Sequence, residues 1–434
     1  MTSATSGGPA ADHPRATEFD RLEAVCIARG SAAMCDELAA SLASHGRWHA
    51  LFDLRLMQAR LAAGLPASGS PEGLDEAARD RLDAASLAAC REVGWPLLEA
   101  GQVAAAWMYL RAAARPEEVA ARLAPLAARA VAALAAGEDG RGDEEAARLV
   151  QEILGVALWE GADPALGIGV VLQTQGTCNA ITAYEQAVSR LPAVRQEPAA
   201  RRLVAHLHAE VVRSLAADLA DRGSDTAAAL AGPRPLVALL AAAGGLADDP
   251  SIHVDVSHLQ SVLRIARVCG DPATLEQAWE LATYGCRLPE EVTYPGEPPF
   301  ANVAEASRLF FGAQIGRDAT EAVAFFRRTA ATADPDLAGG LPHDTLVLLL
   351  TRLGRPAEAL HAAIDRPRDA GQPSTLQAAG LLPTLVDLAQ ASGAWEILLA
   401  ACRRHGDEVT FAAALAARAA AGFRTTTAGL GGSL

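Results

Sequence analysis

A chain of 434 residues with 51% hydrophobic and 21% charged residues is a folded protein, long enough for several domains or one continuous helical array. Its 37 basic residues are all arginine, so lysine-dependent phosphate loops, pyridoxal Schiff bases and lysine general bases are excluded. The formal charge of −15 argues against a nucleic-acid surface and against anionic membranes, because both need clustered positive charge.

Ala, Leu and Val dominate the apolar residues, and aromatic residues make up only 4%. Ala and Leu are strong helix formers, so long windows of them predict an all-α protein packed on small side chains. Residues 1–17 are small and polar without an apolar core, and read as a tail rather than a secretory signal. Helical periodicity then runs, with breaks, from Glu18 to about Phe423. Loops are expected at 67–73 and 137–143, with a proline-rich connection over 287–299. These breaks divide the chain into an N-terminal helical part (18–145), a central part (146–290), C-terminal hairpins (291–423) and a tail (424–434). The apolar stretch 227–247 is broken by Pro233 and Pro235, and no run reads as long and clean enough to span a bilayer. Seven scattered cysteines form neither a disulfide framework nor a zinc ribbon. A cytoplasmic location without membrane or nucleic-acid partners is the expectation.

A short unit recurs along the chain. Gly101 is followed by Ala106 and Trp107, Gly316 by Ala322 and Phe326, and Gly354 by Ala359 and Leu360. A glycine permits the left-handed end of one helix, and a small alanine lets the next helix approach closely. The unit therefore predicts helical hairpins. His45 and His49 flank a similar turn at Gly46.

These offsets, with Pro335 closing the helix after Phe326, resemble the tetratricopeptide repeat over about 303–405, with weaker echoes near 90–120. The chain departs from that pattern at Gly393, which is followed by Leu398 where alanine is expected. The resemblance implies stacked hairpins forming a tetratricopeptide-like α-solenoid with an irregular central region. It also implies a concave face that binds a protein or peptide partner.

The central part holds the side chains capable of chemistry. Cys178 follows Gly176 and precedes Thr182–Glu185, which reads as a capping box; a thiol at a helix start is a candidate nucleophile. A helix over about 199–222 carries the apolar stripe Leu203, Leu207, Val211 and Leu215, with His206 and Glu210 four apart on its flank. His253, Asp255 and His258 lie within six residues. Two imidazoles and a carboxylate suit Zn, Mn or Fe, with His206 and Glu210 available to complete the site. Ser257 and Gln260 offer a capping box that explains part of the same stretch without a metal. The residues thus support three functions: a peptide-binding scaffold, a metal-dependent hydrolase using these ligands with Glu185 or Glu210 as ligand or base, and a thiol enzyme using Cys178.

Overall fold

In the computed structural model the described residues are 14–68, 75–136, 141–243, 253–293, 296, 298–367 and 373–428. Every regular element among them is helical and none is a strand. The all-α expectation from Ala and Leu content is met. Contacts divide the chain into a unit spanning Met1–Asp163 and a unit spanning Pro164–Leu434.

The first unit contains α1 (Pro14–Arg29), α2 (Ser31–Ser44), α3 (Trp48–Ala62), α4 (Glu76–Glu99), α5 (Val103–Ala113), α6 (Pro116–Ala136) and α7 (Arg141–Leu154). A π-helical turn, Gly155–Trp159, extends α7. Within this unit α1, α2, α3 and α4 each pack on the next helix in sequence, as α6 does on α7, while α5 meets α7 and α4 meets α6. Helix α7 already begins at Arg141, inside the stretch expected to be a loop. Helix α6 is long and apolar enough, by length and composition, to cross a membrane, a property the sequence reading did not assign to any run. Its Val119, Leu123, Leu126 and Ala130 stripe is buried inside the unit. Burying each Val or Leu of that stripe contributes about 1.5–3 kcal/mol.

The second unit begins with α8 (Pro164–Ala183), which continues into a π-helical turn at Tyr184–Val188. Next come α9 (Ala193–Asp221), α10 (Ala227–Leu230), α11 (Pro235–Ala242), α12 (Val256–Ile265) and α13 (Pro272–Gly285). After these lie α14 (Val303–Gln314), α15 (Ala319–Thr332), α16 (Pro335–Ala338), α17 (Leu341–Arg352) and α18 (Pro356–Ile364). The unit closes with α19 (Thr375–Ala378), α20 (Leu385–Ser392), α21 (Trp395–His405) and α22 (Glu408–Ala428). At 29 residues α9 is a hub that packs against α8, α11, α12 and α13. From α14 onward the chain returns to pairs: α14 with α15, α17 with α18, and α20 with α21.

The recurring glycines sit where the sequence places hairpin turns. Gly101, Gly316, Gly354 and Gly393 all have positive φ, between 69° and 82°. At Gly101 and Gly354 the turn closes by the same two bonds. The glycine N–H reaches back to Leu98 or Thr351, and the next N–H reaches the carbonyl of Leu97 or Leu350. This double bond satisfies carbonyls that the helix end would leave open. The residue before the next helix has similar dihedrals at three such turns, Arg47 (−85°, 61°), Gln102 (−85°, 66°) and Ala394 (−85°, 46°), while Arg355 (−113°, 59°) lies further off and Asp318 after Gly316 is left-handed (48°, 31°). Ala106, Ala322 and Ala359, the small residues of the unit, are 0% exposed, as is Leu398 after Gly393.

Candidate functional site

Helix α9 carries His206 and Glu210, two of the polar side chains singled out in the sequence, together with His208 and Asp218. Its stripe Leu203, Leu207, Val211 and Leu215 is buried as the spacing requires, and this fixes where its histidines point. Three polar clusters result, on three sides of the helix.

The first lies against α8. That helix is interrupted at Gly176 (φ 82°, ψ 179°), a conformation open only to glycine, and it restarts at Thr177. The break delivers Thr177 Oγ1 to within 3.1 Å of His206 Nε2 and 3.2 Å of Glu210 Oε2. His206 Nε2 and Glu210 Oε2 are 3.7 Å apart. With the Thr177 hydroxyl donating to Glu210, His206 donates its Nε2–H to Thr177. A nucleophile relay would need the acid on the other ring nitrogen. Glu210 instead meets the hydroxyl itself, so the trio fastens the kink to α9.

Cys178 follows directly, exposed at the start of the restarted helix as expected. The capping box expected at Thr182 and Glu185 does not form. Thr182 lies inside the helix and its hydroxyl donates to the Cys178 carbonyl at 3.1 Å. Glu185 is exposed on the π-helical turn, and the bond it makes is through its carbonyl, which accepts from Ser189 Oγ.

The second cluster is buried. His208 Nε2 and Glu280 Oε2, from α13, are 2.5 Å apart, and both side chains are almost wholly enclosed. Glu280 Oε1 is buried without a hydrogen-bond partner.

The third cluster holds His253. Its backbone N–H donates to Tyr284 Oη at 3.0 Å, its Nδ1 lies 3.3 Å from the same oxygen, and its Nε2 lies 3.3 Å from Asp218 Oδ2. Arg222 Nη2 holds Asp218 Oδ2 from the far side at 2.9 Å. One proton arrangement serves every group: Tyr284 donates to Nδ1, and Nε2–H donates to Asp218. Burial pushes the Tyr284 phenol pKa up, the backbone bond from His253 opposing it.

Asp255 turns the other way. It is the N-cap of α12, accepting from Ser257 N at 2.8 Å and Ser257 Oγ at 2.6 Å. The bond from the Ser257 hydroxyl, aided by the Ser257 amide and His258, holds its carboxyl pKa below the usual value against burial. The cap expected at Ser257 therefore sits two residues earlier, because the carboxylate competes better for the free amides of the first turn. His258 lies partly exposed in that turn. The expected His253–Asp255–His258 ligand set, with His206 and Glu210, is not assembled. His253 faces inward, Asp255 faces its own helix, and His206 with Glu210 faces α8. Among the described residues no group of three His, Cys, Asp or Glu side chains is placed to hold a metal ion.

Thr177, Asp218, Glu280 and Tyr284 were not singled out in the sequence. Glu280 alone left a trace, as an acid between the buried Ala278 and Leu281 of α13.

Two grooves on the C-terminal hairpins are the other candidate. One, of about 420 Å³, lies among α15, α17 and α18, and Leu346, Leu350, His343, Glu358, His361 and Asp365 contribute to it. The other, of about 540 Å³, lies among α18, α20 and α21, with Ile364, Leu385, Leu398, Cys402 and His405. Each is formed by the second helices of two consecutive hairpins and the first helix of the later one. In the smaller groove Arg327 and Arg355 both hold Glu358, at 2.7 and 2.5 Å. Burial opposes ionisation of Glu358, but these two hydrogen bonds outweigh it and its pKa falls below the ordinary value. Burial also pushes the His343 imidazole pKa down, against the pull of Asp344 and Asp365.

No protein-family model, curated protein or solved structure matches the chain.

Proposed function

We propose that this protein is a helical-repeat scaffold that binds a peptide or an extended segment of a partner protein, using the grooves of its C-terminal hairpins. The observation that carries the reading is the equivalence of the two grooves. Both are built from the same three positions in successive hairpins, so an extended ligand meets a similar trough at each step. Their volumes fall within the roughly 300–1,000 Å³ of ligand sites, and each mixes an apolar surface with a few polar groups. The resemblance of 303–405 to tetratricopeptide repeats supports the same use. Seven scattered cysteines, none of them in a disulfide, support a reducing, cytoplasmic setting. The hydrolase and thiol readings lack comparable support, because the residues they need lie in separate clusters.

The test is selection of displayed random peptides on the full chain, followed by affinity measurement on a variant with one groove filled. Ala331 lines the smaller groove and is exposed, so Ala331→Trp blocks the trough without disturbing the core. Selected peptides should lose roughly tenfold or more in affinity, about 1.4 kcal/mol. Ala128→Trp, on the exposed face of α6, should leave them unchanged. Failure to enrich any sequence, or unchanged binding to Ala331→Trp, would remove the reading.

A further inference from the structure

We infer that one segment in polyproline II conformation, with large aliphatic side chains three residues apart, fills both C-terminal grooves at once; this rests on the scaffold reading above. Helix α18 borders both grooves. Glu358, His361 and Ala362 line the smaller one, and Ala363 and Ile364 line the larger. At about 100° per residue these two sets project from opposite flanks of the helix. Ala359 and Leu360 are buried beneath it, while Ala357 and His361 are exposed along its crest. Between the walls, α17 contributes Leu346 and Leu350 to the smaller groove and α20 contributes Leu385 to the larger. Both grooves thus open on the side of the second helices, with α18 as the ridge between them. A helix with its side chains is about 10–12 Å across, and that width sets the step from one groove to the next.

The step selects a conformation. A β-strand returns side chains to one face every second residue, at about 6.6 or 13 Å. A polyproline II segment returns them every third residue, at about 9.3 Å, which lies nearest the ridge width. A strand would also leave its backbone groups unpaired, because every regular element among the described residues is helical and offers no sheet edge. The polyproline II backbone is satisfied by water and needs no such edge. The lining selects the side chains. Ala330, Leu346 and Leu350 in the smaller groove, and Ile364, Leu398 and Cys402 in the larger, are small, aliphatic or thiol groups. No aromatic ring is found among the described lining residues of either groove, so neither offers the stacking face that suits proline rings. Leucine, isoleucine or methionine fits instead.

The experiment uses the full chain and fluorescein-labelled dodecapeptides of Pro, Ala and Ser that carry two leucines two, three or four residues apart. An alanine-rich helical peptide with leucines seven apart, also about 10 Å, is the competing shape. Anisotropy titrations should show the three-residue spacing binding roughly tenfold more tightly than either single-leucine peptide, the gain from burying one more side chain. Ala331→Trp fills the smaller groove and Ala363→Trp the larger, both at positions outside the buried core. One leucine should become dispensable in the first variant and the other leucine in the second. The spacing series on the unaltered chain tests the same point without any substitution. Equal binding at every spacing, a best spacing other than three, tighter binding of the helical peptide, or the same leucine dispensable in both variants overturns the inference and leaves the scaffold reading standing. Dimerisation of the chain that Ala331→Trp abolishes names a second copy as the occupant and overturns it too. No binding by any of these peptides or by the display-selected ones overturns both.

Discussion

At the scale of single residues, Asp255 shows how one carboxylate can be claimed by two explanations. Its place beside His253 and His258 suggests a metal ligand, but it accepts two bonds from Ser257 at the start of α12. Losing the cap in Asp255→Ala should cost about 1 kcal/mol in urea unfolding at pH 7. The pH dependence has a definite sign. The folded-state pKa lies below the ordinary carboxylate value, so the contribution of the charge is fully present above about pH 4 and is lost as pH falls through the folded value. The gap between wild type and Asp255→Asn should therefore narrow on acidification; a gap that widens would refute the assignment. His253 was legible as a notable residue but not in its role. Its partners Asp218 and Tyr284 stand 35 and 31 residues away, and no local pattern encodes a pairing at that distance. The same holds for His208 and Glu280, 72 residues apart.

At the scale of elements, the hairpins were readable because glycine and alanine each answer a local need. A helix that must end sharply takes glycine, and a helix that must pack closely takes alanine. Gly354→Ala should destabilise by roughly 1–2 kcal/mol, since φ of 69° strains any L side chain. Gly155→Ala is the contrast: an added Cβ there meets no atom within 4 Å and φ is not positive. That substitution should be neutral or stabilise slightly, and thermal melts of the two variants decide the point. Helix starts were harder to place than helix ends. The Thr182–Glu185 and Ser257–Gln260 patterns match a capping box, yet one lies inside a helix and the other follows a stronger cap. One start is completed by a distant acid instead: α5 has no side-chain cap of its own, and Glu152 accepts from Ala104 N at 3.1 Å. A cap supplied from another helix leaves no signature beside the terminus it serves.

At the scale of the whole molecule, the exclusive use of arginine has a structural counterpart. Arg55 grips Glu92 with two bonds of 2.8 Å, and Arg317 stacks 3.6 Å from the centre of the Trp279 ring while binding Glu276. Planar forks and flat stacking faces are things an ammonium group lacks. Arg352 illustrates this within the second unit. It donates to Gln314 at 3.0 Å and to the Arg267 carbonyl at 2.9 Å, tying α17 to α14 and to the turn after α12. Burial pushes its pKa down, and its hydrogen-bond acceptors are all uncharged. Arg352→Lys keeps the charge but cannot reach both acceptors, so it should cost about 1–3 kcal/mol. Arg111→Lys, exposed on α5, should cost almost nothing. Equal melting temperatures for the two variants would show that the guanidinium geometry is unimportant.

The break at Gly176 carries a consequence for reading this chain at all. Helical arithmetic assumes an unbroken angular phase, in which each residue advances the face by the same amount. At Gly176 that phase is reset, so Ile168 and Val171 before it and Ala180 and Ile181 after it are buried in different angular frames. A periodicity counted straight through 167–182 averages two helices out of step and cancels. The stretch is two short messages written in different registers, joined by a glycine whose backbone permits the change between them.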